Sequence, residues 1–295
     1  MNLGKLVQNA GSDLKKLTDD ELTQLHLVLL GMIDDLKDVC EYRGLRYYFI
    51  GGSAIGALRH EGFIPWDNDI DLAMPRKDFE AFCDIIQKEY NDKYSIINPT
   101  SEHNSGRVLP KLRKKDTVYQ TILETDLDEC GVFIDMYILE NTYDFVLFRQ
   151  MHGLLCMAAG FTLACRRAYD KAELFQEACK GSMKQSAIFR LKKFCGAILS
   201  PFSIERVARF TDACYGICKN ENSKYITIPA DDLGYFFGNV YKRSEFCTPA
   251  YAQFESRKVV IPGNYKSYLK DKYGDYMQMP DLKSRKNPLY LNFKI

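Results

Sequence analysis

The chain has almost no net charge: 40 Lys and Arg stand against 39 Asp and Glu, a formal balance of +1 over 295 residues. A global electrostatic case for nucleic-acid binding needs a strongly basic domain and therefore fails. Tryptophan occurs once and histidine four times. His26, His103 and His152 have no motif around them. Ten cysteines are present, yet no two have Cys-x-x-Cys or zinc-type spacing. The nearest pair, Cys214 and Cys218, would share one helix face, an ordinary place for small buried thiols. Free thiols in a reducing compartment are expected. Met1-Asn2-Leu3-Gly4-Lys5 lacks the apolar core of a signal peptide. The most apolar run, Gly153 to Cys165, is shorter than the roughly 20 residues that cross a bilayer, so it reads as a buried helix. A cytoplasmic enzyme is the expectation.

Two familiar phosphate motifs are also missing. Gly51 and Gly56 have P-loop spacing, but Ala57 stands where the lysine belongs. Counted from Gly51, Ser53 replaces the second glycine of a dinucleotide fingerprint. An EF-hand starting at Asp67 fails because Leu72 occupies its glycine position and Asp78 its glutamate position.

What is present is concentrated between residues 45 and 71. Leu45 to Ile50 is rich in aromatic and β-branched residues and reads as a strand entering the Gly51-Gly52 turn. Ser53 is the expected N-cap of a short helix, Ala54 to Arg59, whose first N–H groups would face a phosphate. Asp67-Asn68-Asp69-Ile70-Asp71 follows. On a strand, Asp69 and Asp71 would project from one face. Two carboxylates so placed repel each other, and Mg²⁺, with Mn²⁺ as the alternative, removes that cost while leaving coordination positions for phosphate oxygens. Asp67 is expected to cap the loop.

Elsewhere, Thr18-Asp19-Asp20-Glu21 forms a capping box, and Leu22, Leu25, Leu29, Met32, Ile33 and Leu36 recur at helical spacing until Gly44. Arg76 to Tyr90 reads as an amphipathic helix with Phe79, Phe82, Ile85 and Ile86 inward. Tyr94 to Ile97 and Gly131 to Leu139 read as strands. Asp135 lies in the second of these, among apolar residues where a carboxylate needs a partner. It is the candidate third acid, and a structural role satisfied by backbone donors or a lysine is the alternative. Lys111 and Arg113 would point the same way from a strand, as phosphate contacts should. Lys114 and Lys115 are expected at the surface. Arg59 and His60 follow the short helix, and His60 is open to a role as base, phosphate contact or structural hydrogen-bonding group. Trp66 is either a packing residue or an aromatic face for a quaternary ammonium.

The run from Gly51-Gly52-Ser53 through Arg59-His60-Glu61-Gly62-Phe63-Ile64-Pro65-Trp66-Asp67-Asn68-Asp69-Ile70-Asp71 resembles the signature of the LicD family in the nucleotidyltransferase-like superfamily. Gly131 to Met136 is similar to a later strand of that family, and Tyr273-Gly274-Asp275-Tyr276-Met277 to its C-terminal motif. The resemblance implies a mixed α/β fold, a nucleotidyltransferase-like mixed sheet flanked by helices with a helical insertion in its second half. It divides the chain into a catalytic core (1–141), a basic helical insertion (142–249) and a C-terminal segment returning to the active site (250–295). It also implies transfer of a phospho-alcohol group from a CDP-linked donor, CDP-choline first, to a glycan such as a teichoic acid or lipopolysaccharide, free or lipid-linked. The related fukutin-related proteins use CDP-ribitol, so the signature marks the chemistry better than the alcohol. The implied catalytic and metal-binding set is Asp69, Asp71 and Asp135, with Gly51, Gly52, Ser53, Arg59, His60, Trp66, Lys111 and Arg113 toward the donor. Tyr273 and Tyr276 are candidate aromatic neighbours of the alcohol.

The residues alone leave two other readings open. The same acids would serve a nucleotidyltransferase acting on CTP with pyrophosphate leaving, or remain in a silent nucleotide- or glycan-binding protein. Nucleic acid is not an expected partner. Between Arg166 and Arg209, ten Lys and Arg face four Asp and Glu, with apolar residues interleaved. That segment is either a basic helical hairpin at the surface or a peripheral contact with an anionic membrane.

Overall fold

The computed structural model describes residues 15–101, 106–121, 130–179, 183–281, 285 and 289–295. His103 and the Met1 to Lys5 stretch lie outside them. After the short strand β1 (Lys15–Lys16), helix α1 (Asp19–Arg43) starts and stops where its local chemistry dictates. The Thr18 side chain accepts from the Glu21 N–H while Glu21 reaches back to the Thr18 N–H, and Gly44, at φ 67°, closes the other end. Leu25, Leu29, Met32, Ile33 and Leu36 are buried along one stripe.

The next elements build the site. Strand β2 (Tyr48–Phe49) leads into helix α2 (Gly51–Arg59), followed by β3 (Asp71–Pro75) and α3 (Arg76–Glu89). Helix α2 begins at Gly51 with Ile50 as N-cap, so Ser53 lies inside the first turn and is not the cap that sequence reasoning expects. Its hydroxyl instead accepts from the Asp71 N–H at 2.8 Å, fastening the helix to the acidic strand. The strand likewise starts at Asp71 and not before Asp69. The Ile70 carbonyl still accepts from the Asp135 N–H at 2.9 Å, extending the ladder by one step.

Strands β4 (Tyr94–Ile97), β5 (Lys111–Lys114), β6 (Val118–Gln120) and β7 (Phe133–Thr142) come next. The main sheet runs β2-β3-β7-β5-β4. Only the β3–β7 pair is parallel among the pairings described; its neighbours are antiparallel, so the sheet is mixed. The long central strand β7 is covered on both faces, and Ile134, Met136 and Ile138 are buried.

After β7 the chain forms α4 (Val146–Asp170), α5 (Ala172–Cys179), α6 (Met183–Ile198) and α7 (Ile204–Tyr215). Helices occupy the first part of the expected 142–249 insertion, whereas β8 (Tyr225–Thr227) and β9 (Val240–Lys242), also within it, join the main sheet through the end of β7. Arg76 at the head of α3 pairs with Glu140 of β7 and, at 2.8 Å, with Asp212 of α7. The chain ends with α8 (Arg243–Phe246), the hairpin β10 (Pro249–Phe254) and β11 (Arg257–Pro262), helix α9 (Tyr265–Tyr273), and strands β12 (Leu289–Tyr290) and β13 (Asn292–Lys294). These last two pair with β1 and β6.

Candidate active site

Parallel pairing sets the centre of the site. Asp71 of β3 is the register partner of Asp135 of β7, and on the other side Lys111 of β5 is the register partner of Asp135. Registered residues on paired strands project to the same face. The result is a row of Asp71, Asp135 and Lys111, with the Lys111 Nζ 3.3 Å from Asp135 Oδ1 and 3.0 Å from the centre of the Phe133 ring. Asp69 joins from the segment before β3. One carboxylate oxygen from each of Asp69, Asp71 and Asp135 lies within 4.8 Å of the others.

Asp71 stands against the head of α2. Gly51 has φ +55°, and a Cβ there would lie 2.9 Å from Asp71 Oδ2. A Cβ on Gly52 would lie 2.9 Å from Asp67 Oδ2. The two glycines thus let the carboxylates approach the helix backbone, a reason for glycine that the expected turn did not capture. Helix geometry leaves the Gly52 and Ser53 N–H groups without intrahelical acceptors, while the Gly51 N–H donates to Tyr268 Oη at 3.0 Å. Asp67 is held from behind: His26 Nε2 donates to its carbonyl at 2.7 Å while the imidazole stacks on Phe63.

The electrostatics follow from four carboxylates in a small, poorly hydrated space. Burial, then Asp67 and Asp135, pushes Asp69 well above the usual carboxylate range. Burial, then Asp69, Asp135 and Asp67, does the same for Asp71. Lys111 is the cation paired to this row. An all-oxygen donor set with excess negative charge and one nearby lysine fits a hard divalent cation.

A second charged pair lies close by. Asp231, in the loop after β8, pairs with Lys272 near the end of α9, both side chains being nearly buried. Asp231 contributes to the upward push on Asp71, while burial lowers the Lys272 pKa against the opposing pull of Asp231 and Asp71. Tyr137 and Tyr273 complete this side, their hydroxyls raised by burial first and then by Asp71. Sequence reasoning missed His26, Asp231, Lys272 and Tyr137. Tyr137 was accessible through strand alternation from Asp135, and Lys272 through its position beside the Tyr273-Gly274 motif. Asp231 carried no local signal.

Other expected donor contacts have partners within the protein. Arg113 is only 1% exposed and donates to the Gly131 carbonyl at 2.9 Å. Arg59 donates to the Tyr276 and Gln278 carbonyls and, through Nε, to His60 Nε2 at 3.0 Å. It pins the C-terminal segment, and His60 is thereby an acceptor; burial and then Arg59 hold its pKa below the ordinary value. Trp66 packs on the main core, with Arg285 4.4 Å over its ring and His60 at its edge. Tyr276 packs on the same core.

The parallel pair of the mixed sheet thus brings the carboxylates together at the head of a glycine-led helix. Residues 44–141 match the family model described as LicD/FKTN/FKRP, nucleotidyltransferase domain. The chain is 25% identical over 277 residues to the lipopolysaccharide cholinephosphotransferase LicD of Haemophilus influenzae, covering 92% of this chain and 96% of the relative. A shorter stretch of 40 residues is 50% identical to the ribitol 5-phosphate transferase FKRP of Homo sapiens, covering 14% of this chain and 8% of that protein.

Proposed function

We propose that this protein transfers a phospho-alcohol group from a CDP-linked donor to a sugar hydroxyl of a cell-surface glycan or its precursor, with CMP leaving. The observation that carries this reading is the meeting of Asp69, Asp71 and Asp135 beside the Gly51-Gly52 helix head. Similarity along nearly the whole length of a cholinephosphotransferase supports phospho-alcohol transfer as the reaction class and makes CDP-choline the first donor to test.

Asp69, Asp71 and Asp135 would hold a divalent cation, Mg²⁺ or Mn²⁺. When bound, such a cation neutralises charge on phosphoryl oxygens. The Gly52 and Ser53 N–H groups are oriented to contact a phosphate at the helix head. Asp135, the more deeply placed acid, is suited to accept the proton of the acceptor hydroxyl as its oxygen bonds to the phosphorus and the bond to CMP breaks. Lys111, 3.3 Å from Asp135 Oδ1, holds that carboxylate in position. Tyr137 and Tyr273 offer aromatic faces of the kind that hold a quaternary ammonium.

The test is a thermal-shift panel of Mg²⁺ with CDP-choline, CDP-ribitol, CDP-glycerol, CTP or CMP, on the wild type and on Asp71→Asn. A rise specific to one CDP-alcohol, dependent on Mg²⁺ and lost in the variant, is expected. CMP release with a glycan acceptor then reports turnover. A shift with CTP alone would replace the proposal with a nucleotidyltransferase, and no shift with any nucleotide would leave a silent binding protein.

A further inference from the structure

We propose that the outer faces of α4 and α6 form a docking surface for an anionic lipid bilayer. On α4, Leu147, Met151, Leu154 and Phe161 recur at helical spacing on one face, and all are exposed, Leu154 by 62%. The opposite face is occupied by protein. His152 bonds to the Cys214 and Tyr215 carbonyls, Arg166 donates to the Phe202 carbonyl, and the Thr211 hydroxyl donates to the Ala159 carbonyl. Helix α4 is long and apolar enough to cross a membrane by length and composition. With its polar face already bonded to protein, only the outer stripe is available to lipid.

Helix α6 continues this surface. It packs on the second half of α4, where a Cβ on Gly196 would run into the Cys165 carbonyl and Phe189 clusters with Ala168. The spacing that leads from Leu154 to Phe161 arrives next at Cys165, so α6 covers the exposed stripe where that stripe would continue. Its own outward side carries Leu191, Phe194 and Ile198, with Phe194 67% exposed. This is an apolar face turned toward solvent, the reverse of a helix docked to bury its apolar side.

The charge pattern selects the occupant. Lys184, Arg190, Lys192 and Lys193 lie on α6, whose 16 residues include no Asp or Glu. The chain as a whole has a net charge of only +1, so this basic character is local. An apolar face flanked by Lys and Arg matches the interface of an anionic bilayer, where acyl chains take the apolar side chains and headgroups take the cations. A second copy of the chain, joined face to face about a two-fold axis, would bring the same basic flanks together.

The inference stands apart from the proposed chemistry and is tested without nucleotide or acceptor. Full-length protein is co-sedimented with vesicles of phosphatidylcholine alone and with an added fraction of phosphatidylglycerol, across a salt series. Partitioning should favour the anionic vesicles and weaken as salt rises. Replacing Lys192 and Lys193 with Gln should reduce it about fivefold per residue. Leu191→Glu with Phe194→Glu should abolish it, and these exposed sites leave the fold intact by thermal midpoint. As a second readout, Phe194→Trp should show quenching by brominated lipid beyond that of wild type, whose sole tryptophan is Trp66. Absence of wild-type binding to anionic vesicles overturns the proposal, as does full binding by the double Glu variant. A dimer in light scattering that the double Glu variant disrupts, without vesicle binding, assigns the face to self-association and also overturns it.

Discussion

Asp71 and Asp135 stand opposite each other in the parallel β3–β7 ladder, so the two acids meet by strand register and not by loop placement. Carboxylates set on rigid neighbouring strands cannot relax far apart. Their repulsion is built into the fold and is relieved by protonation or by a cation.

Replacing Asp71 with Asn should separate stability from function. Without divalent cation the variant is expected to melt above the wild type, because a repelling charge in a buried cluster is gone. Addition of Mg²⁺ should then raise its midpoint far less than the wild type's, and turnover should fall at least about 100-fold, beyond what loss of a mere outer support to a metal causes. A variant that keeps the full Mg²⁺ response would remove Asp71 from the ligand set.

The pH response has a definite sign. Asp69 and Asp71 have folded pKa values raised above the ordinary 3.8. Their contribution to stability is therefore fully present below about pH 4 and lost as pH rises through the folded values. Melting curves in chelator should show this loss as pH rises above about 4, flattened in Asp71→Asn. The stabilisation by Mg²⁺ should grow over the same interval, since cation and protons compete for the carboxylates. A Mg²⁺ effect independent of pH would contradict this coupling.

Lys272→Met should leave Asp231 nearly buried and uncompensated beside Asp71. Removing one partner of a buried pair costs about 3 kcal/mol. The double variant Lys272→Met with Asp231→Asn should recover much of that stability, as chemical denaturation of the single and double variants would show. If the single variant unfolds like wild type, the pair is not the buried unit described.

Gly51→Ala tests the approach of Asp71 to the helix head. The positive φ costs about 1 kcal/mol for alanine, and the new Cβ must displace the Asp71 carboxylate. A modest fall in melting temperature should accompany a loss of turnover disproportionate to it. Equal and small losses in both would mean that the carboxylate adjusts without consequence.

The boundaries that sequence reasoning located well are those written in local chemistry. The Thr18 box and Gly44 bracket α1 because each satisfies backbone groups within a few residues of itself. Alternation likewise placed Asp135 on a strand and Lys111 on its face. Where local reasoning fell short, the missing information was non-local. Alternation told which way Arg113 points but not that it is only 1% exposed and bonded to the Gly131 carbonyl. That Arg59 bonds the Tyr276 and Gln278 carbonyls could not be read locally, because they belong to a distant segment. Ser53 looked like a cap, yet its hydroxyl found the Asp71 N–H instead.

The amino-acid sequence alone determined the main helices, the acidic strand and the expectation of chemistry on phosphate, because hydrogen bonds within a helix and alternation along a strand are short-range. The tertiary structure decided which acids meet, that Asp231 and Lys272 stand beside them, that Lys111 pairs with Asp135, and that α4 and α6 keep apolar faces in solvent. Those outcomes depend on strand register and on which surfaces pack. Both are properties of the assembled chain, since each contact exists only after segments far apart in sequence have been brought together and desolvated.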